Sequence, residues 1–223
     1  MKLRGLRRLT RLRTGFTAFQ HRERTADLWV LAFGLSIGVA GAIVLVAASF
    51  DEANSLRRIF GIGLYAAGLV AMLGFSLLYR SAVEPAQRRF LRRLDHAAIF
   101  AMIAGSATPF ALMRGGITGA ILAVMLWMVA ALGIVLKLCF PIGAVRRSAA
   151  FYLLLGWAAS AAVGPAFSGK TALLIVAGGA FYSLGVSFLL WWRLPYRLAI
   201  WHMFVVAGAA CHYAAILGAV VLA

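Results

Sequence analysis

The residues of this sequence that could do chemistry are few, and they stand where long apolar runs begin or end. They are Asp27, Ser76, Arg80, Asp95, His96 and His202. An ionisable side chain at the edge of a membrane span is costly and is therefore a functional candidate by default. Serine, carboxylate and imidazole groups are also those that hydrolytic and metal sites use. We treat these six residues as one candidate site, the polar cluster.

The elements that must position the polar cluster are seven stretches without a charged residue. They cover residues 28–50, 59–79, 97–113, 115–136, 148–169, 171–192 and 198–223. Each is close to the roughly 20 residues that a helix needs to cross a bilayer. With 64% hydrophobic and 13% charged residues, the composition excludes a soluble globule. Continuous apolar runs exclude a β-barrel. The sequence therefore predicts an all-α, polytopic bundle of seven transmembrane helices in the cell membrane.

The basic residues predict how this bundle is oriented. Of the 22 Lys and Arg residues, eighteen fall in the N-terminal tail and in alternate loops, and four fall in the opposite loops. The positive-inside rule then places the N-terminus in the cytoplasm and the C-terminus outside. The net charge of +16 is thus a topology signal. We expect no nucleic-acid partner, and we expect membrane lipids as the surroundings of the chain.

This orientation brings the polar cluster to one leaflet. Helices one, three and seven start at the cytoplasmic side, and helix two ends there, so all six residues are expected in the cytoplasmic half. Ser76 and Arg80 are four residues apart and share one face of their helix. We expect the Arg80 guanidinium to pair with Asp95 and to reach Asp27 as a second carboxylate, because its planar fork suits carboxylate oxygens.

Two segments are predicted along the chain: a basic tail over residues 1–25 and a seven-helix domain over residues 26–223. Apolar residues recur in the tail at spacings of three and four, namely Leu3, Leu6, Leu9, Leu12, Phe16 and Phe19. With arginines between them, this pattern is typical of an amphipathic helix lying on anionic headgroups. A disordered basic tail that only fixes orientation, and an Arg-rich transit segment, are the alternatives.

Three stretches of the sequence also carry a family resemblance. Residues 94–110 (LDHAAIFAMIAGSATPF), 182–185 (YSLG) and 200–213 (IWHMFVVAGAACHY) resemble the third, sixth and seventh helix motifs of the hemolysin III proteins. These proteins are the bacterial branch of the progestin and adipoQ receptor family. The resemblance covers residues 16–223 and implies the same seven-helix fold with a cytoplasmic N-terminus.

The resemblance also implies a zinc ion near the cytoplasmic face, held in the family by three histidines. An Asp and a Ser support its bound water there, and Ser76 and Asp95 match these two positions as catalytic residues by analogy. His202 matches one metal-binding histidine. Arg80 and Leu198 stand where the other two histidines are expected.

These departures bear on the predicted cofactor. The family's helix-one motif, Asn followed by His, reads Asp27 and Leu31 in this chain. A zinc site needs three or four N, S or O ligands, and Arg80 is a permanent cation at a ligand position. We therefore expect no cofactor. A zinc ion remains an alternative if Asp27 or Glu23 completes another ligand set.

Three functions are open from the sequence. The first is a hemolysin III-like membrane protein with a regulatory or non-catalytic role, in which the polar cluster stands where relatives have zinc. The second is a pore-forming, cytolytic or transport protein. The third is a zinc-dependent membrane lipid amidase, which needs a Lewis acid and an activated water. The incomplete ligand set favours the first and argues against an enzyme.

Overall fold

The computed structural model describes residues 2–50, 56–140, 145–164, 167 and 169–221, without the side chains of residues 2–18, 145, 146 and 220. Its regular elements within these ranges are all helical. The seven α-helices are α1 (Lys2–Ala48), α2 (Leu56–Ser81), α3 (Pro85–Met113), α4 (Gly116–Cys139), α5 (Val145–Val163), α6 (Gly169–Leu190) and α7 (Arg197–Ile216). A short π-helical turn, Leu217–Val221, continues α7. The predicted all-α fold and the seven helices are confirmed.

Six of these helices are long and apolar enough to cross a membrane. The seventh, α5, has a shorter apolar part, Arg147–Val163. Large apolar side chains cover the outside of the bundle, as bilayer contact requires. On α4, for example, the exposed fractions of Ile117, Val124 and Met128 are 74, 61 and 68%. The chain is therefore a multi-pass membrane protein. Its inside–outside orientation stays a prediction.

Two helix ends differ from the ends of the charge-free runs. The third apolar run begins at residue 97, but α3 begins twelve residues earlier at Pro85. Proline at the first helical position is already set for helix geometry, and the charged residues that follow continue the helix outside the apolar run. Helix α5 ends at Val163, six residues before the charge-free run ends at Gly169. Pro165 comes two residues later, and the residue before a proline, here Gly164, disfavours the helical conformation.

The predicted boundary between residues 25 and 26 lies inside the single helix α1. The side chains of residues 2–18 lie outside the described part, so the amphipathic tail on anionic headgroups stays a prediction. Within the described part of the tail, Glu23 and Arg24 contact the bundle. The Arg24 side chain donates to the Arg80 and Ser81 carbonyls at 3.1 and 3.0 Å. The Glu23 carboxylate accepts from the Tyr196 amide at 2.5 Å, where Tyr196 has a left-handed φ of 56°. Helix α1 is thereby tied to the end of α2 and the start of α7.

Helices α2 and α3 approach each other closely through two glycines. A Cβ on Gly68 would lie 3.1 Å from the Ala101 carbonyl oxygen, and a Cβ on Gly105 would lie 2.8 Å from the Leu64 carbonyl oxygen. Small residues at such crossings let two membrane helices pack backbone to backbone. This contact fixes the relative position of Ser76 on α2 and Asp95 on α3.

We expect Gly105→Ala to lower the free energy of unfolding by about 1–3 kcal/mol, because the added methyl group must push two helix backbones apart. Gly74→Ala is the matched control on α2, since nothing lies within 4 Å of a Cβ there, and alanine favours a helix interior over glycine. Unfolding in mixed detergent micelles measures both. Equal effects of the two substitutions would contradict this account of the crossing.

Candidate functional site

A fully buried carboxylate lies at the centre of the polar cluster. Asp27 on α1 is 0% exposed. Arg80 Nε, on α2, donates to its Oδ2 at 2.5 Å, and His202 Nδ1, on α7, lies 2.5 Å from its Oδ1. An ionised carboxylate can only accept hydrogen bonds, so the imidazole carries a proton on Nδ1. Both oxygens of one carboxylate thus join three helices, and we call these three residues the ion-pair triad.

The second carboxylate of the cluster has a different partner from the expected one. The Ser76 hydroxyl donates to Asp95 Oδ1, whereas Arg80 pairs with Asp27. Among the described residues, no ion pair joins Arg80 to Asp95 within 4.0 Å. The expected pairing is corrected in this respect: Asp27 is the primary partner of the guanidinium. The physical reason is position, since Asp27 is enclosed between α2 and α7 while Asp95 faces Ser76 across the close α2–α3 crossing.

His96 follows Asp95 in the sequence but makes its contacts on another side of α3. The Tyr152 hydroxyl, on α5, donates to the His96 carbonyl at 3.1 Å and lies 3.4 Å from Nδ1 of its ring. Consecutive residues of a helix point about 100° apart. The structure therefore brings five residues of the polar cluster together at α1, α2, α3 and α7, and turns His96 toward α5.

A cavity of about 350 Å³ adjoins the cluster, walled by α2, α3, α5, α6 and α7. Ser76, Arg80, Asp95 and His202 line one end of it, and His96 also contributes. Most of the remaining wall is apolar. Asp27 lies behind the wall, so the triad presents its arginine and its histidine to the cavity and keeps its carboxylate out of reach.

The donor set does not fit the zinc ion that the resemblance implies. Both Asp27 oxygens are engaged, and Glu23 is engaged by the Tyr196 amide. Leu31 and Leu198 offer no donor atom. In the part of the chain that the structure describes, no three His, Cys, Asp or Glu side chains come together as a metal site requires. The Arg80 cation holds the place beside His202, where a second cation would be repelled.

Sequence reasoning did not single out three residues that line this cavity: Arg92, Tyr152 and Arg197. The two arginines contributed only to the predicted orientation of the bundle in the membrane, and Tyr152 lies within an apolar run. Arg92 could have been found, because it precedes Asp95 by three residues and His96 by four, which places it on the same side of a helix. The sequence carries no comparable sign for Tyr152.

Known proteins resemble this chain over most of its length. Residues 19–213 match the family described as Haemolysin-III related. Hemolysin-3 of Bacillus cereus is 30% identical over 214 residues, which cover 94% of this chain and 96% of that protein. The Hemolysin-3 homolog of Bacillus subtilis (strain 168) is 32% identical over 207 residues, 89% of this chain and 95% of that protein. The human Monocyte to macrophage differentiation factor is 26% identical over 197 residues, 87% and 83% of the two chains. This chain belongs to the Haemolysin-III related family.

Proposed function

We propose that this chain is a regulatory, non-catalytic member of its family. In it, the ion-pair triad of Asp27, Arg80 and His202 takes the place of a bound metal ion, and the adjoining cavity receives a ligand from the membrane. The guanidinium supplies the positive charge that the metal would otherwise supply. Signalling then depends on ligand occupancy rather than on turnover.

One observation carries this proposal: both oxygens of the fully buried Asp27 are taken, by Arg80 Nε and His202 Nδ1, at 2.5 Å each. A buried charge is tolerated only when it is paired and hydrogen-bonded. A metal at this place would have to displace a guanidinium that already neutralises the carboxylate. The carboxylate is neutralised without a metal, which supports a non-catalytic role.

The test combines metal analysis with an activity assay on the purified full chain. We expect wild-type protein to contain far less than one zinc per chain, with no hydrolysis of N-acyl sphingoid lipids before or after zinc is added. His202→Ala is the control and should give the same background in both measurements. Stoichiometric zinc together with hydrolysis, both lost in His202→Ala, would overturn the proposal and support the lipid amidase.

The pore-forming alternative is supported by the names of the two Bacillus relatives, which are called hemolysins. It is separated from the regulatory role by dye release from liposomes that contain the purified chain. We expect no release above that of protein-free liposomes. Release in proportion to the amount of wild-type chain would support the cytolytic function instead.

A further inference from the structure

The cavity beside the triad is amphipathic along its length. Arg80 in the last turn of α2 and Arg197 at the start of α7 line it, and these helix ends lie at the same end of the bundle. Ile103, Phe110 and Val163 line it further along α3 and α5, toward the opposite end. A site with one charged end and a long apolar remainder suits a molecule of the same construction, with a polar head and an apolar chain.

The charged end of the cavity is strongly basic. Three arginines from three helices line it: Arg80, Arg92 and Arg197. Asp95 is the carboxylate on the same wall, and it already accepts from Ser76. Asp27, behind the wall, pairs with Arg80, so three guanidinium groups stand against two carboxylates and an excess of positive charge remains, in surroundings where apolar walls weaken the screening by water. The head group of a ligand here is therefore an anion.

The arginines also keep donors free for such an anion. Arg80 uses only Nε on Asp27, and Arg92 has no hydrogen-bond partner among the described residues. Arg197 is held in place, because its Nη1 donates to the Leu189 carbonyl at 2.9 Å and its guanidinium carbon lies 4.2 Å from the Trp192 ring centroid. Nearby, Lys137 donates to the Ser148 hydroxyl at 2.7 Å, and Ser148 also lines the cavity.

This donor set favours a phosphate monoester over a carboxylate. A carboxylate carries one charge and two oxygens, whereas a phosphate monoester carries a charge of about −1.5 to −2 and three terminal oxygens. A guanidinium group can bind two phosphate oxygens at once. Three arginines and the Ser148 hydroxyl can therefore contact all three terminal oxygens of the phosphate. The volume of about 350 Å³ is near the lower end of ligand pockets, about 300–1,000 Å³, which suits one acyl chain rather than two.

We propose that the cavity binds a single-chain amphiphile with a phosphate monoester head, such as a lysophosphatidate, with the head held by Arg80, Arg92 and Arg197. This inference names the ligand class of the proposed function and rests on it. The bound anion meets Arg80 directly, and Arg80 is the residue that joins the cavity to Asp27. Ligand binding therefore acts on the ion-pair triad, which links α1, α2 and α7.

The test uses the full chain in phosphatidylcholine nanodiscs and four probes: 1-oleoyl lysophosphatidate, 1-oleoyl lysophosphatidylcholine, oleate and glycerol 3-phosphate. Native mass spectrometry measures stoichiometry and affinity. We expect one lysophosphatidate per chain, bound at least about tenfold more tightly than each of the other three, because head charge and chain both contribute. Equal binding of the phosphatidylcholine analogue or of oleate would overturn the head-group assignment. Equal binding of glycerol 3-phosphate would overturn the chain site.

Two pairs of variants locate the site. Arg92→Gln should weaken lysophosphatidate binding by about tenfold, as expected for loss of one charge-assisted contact. Arg89→Gln is its control, since Arg89 is exposed on the same helix and does not line the cavity. Gly156→Leu should abolish binding by filling the cavity, because Gly156 lines it and has nothing within 4 Å of a Cβ position. Gly63→Leu, equally open but outside the cavity, should bind normally.

The outcomes of these variants are separate from those of the metal test. None of the four positions belongs to the ion-pair triad, so the variants should keep the low zinc content of the wild type. If Arg92→Gln and Arg89→Gln bind lysophosphatidate alike, the basic end of the cavity is not the binding site and the inference fails. The non-catalytic function would then still stand on its own measurement.

Discussion

Asp27→Ala is expected to lower the free energy of unfolding by about 3–5 kcal/mol, the cost of breaking a buried ion pair by removing one partner. The substitution leaves the Arg80 guanidinium without its carboxylate in a low-dielectric setting and takes the hydrogen-bond acceptor from His202 Nδ1. It also removes a link among three helices. Unfolding of the full chain in mixed detergent micelles measures the loss.

The control for this substitution is another carboxylate of the same chain. Glu84 is exposed and its side chain makes no cap hydrogen bond, so Glu84→Ala should change the unfolding free energy by less than about 0.5 kcal/mol, as surface substitutions do. If Asp27→Ala costs no more than Glu84→Ala, the buried carboxylate is not the stabilising centre of the cluster.

A double-mutant cycle separates the observed pairing from the one that the sequence suggested. Combining Asp27→Ala with Arg80→Ala should recover part of the loss, because neither partner is then left as an unpaired buried charge. Combining Asp95→Ala with Arg80→Ala should give nearly additive losses, since Asp95 bonds to Ser76 instead. The opposite result, with coupling only between Arg80 and Asp95, would contradict the structure of the cluster.

The second large effect is the creation of a zinc site by Arg80→His combined with Leu198→His. We expect the zinc content to rise from far below one to about one equivalent per chain. Arg80, Leu198 and His202 line the same end of the cavity, and residues 198 and 202 are one helical turn apart on one face. Three imidazoles with an open fourth position are the arrangement of a catalytic zinc.

Asp27 strengthens this expectation, because its contact with His202 Nδ1 would leave Nε2 for the metal. Histidine ligands in metal sites usually donate their other ring N–H to a carboxylate or carbonyl in this way. Zinc occupancy should fall as the pH drops through about 6.5, where free imidazole takes up a proton. Elemental analysis of the double variant and of each single variant measures the effect, and the single variants should bind weakly. A folded double variant without zinc would contradict the positional match of these residues.

The sequence by itself determined the class of protein and the depth of its polar groups. Charge-free runs of about 20 residues can satisfy their backbone in a bilayer only as helices, so seven helices followed from composition and length. Each residue of a helix advances about 1.5 Å along its axis. Counting from the run ends therefore placed Asp27, Arg80 and His202 at one level before any contact was known. The family resemblance then predicted the two positions, Arg80 and Leu198, at which relatives are expected to have histidines.

Only the tertiary structure decided which of these groups meet. The rotation of each helix about its axis, and the distance between neighbouring helices, depend on packing across the whole bundle. The close crossing at Gly68 and Gly105 sets Asp95 against Ser76, and the ties from Glu23 and Arg24 bring Asp27 between Arg80 and His202. A cavity is the space that helix packing leaves open. Its basic end could therefore not be predicted from the sequence either. Depth is a property of one helix, whereas contact and empty space are properties of several helices together.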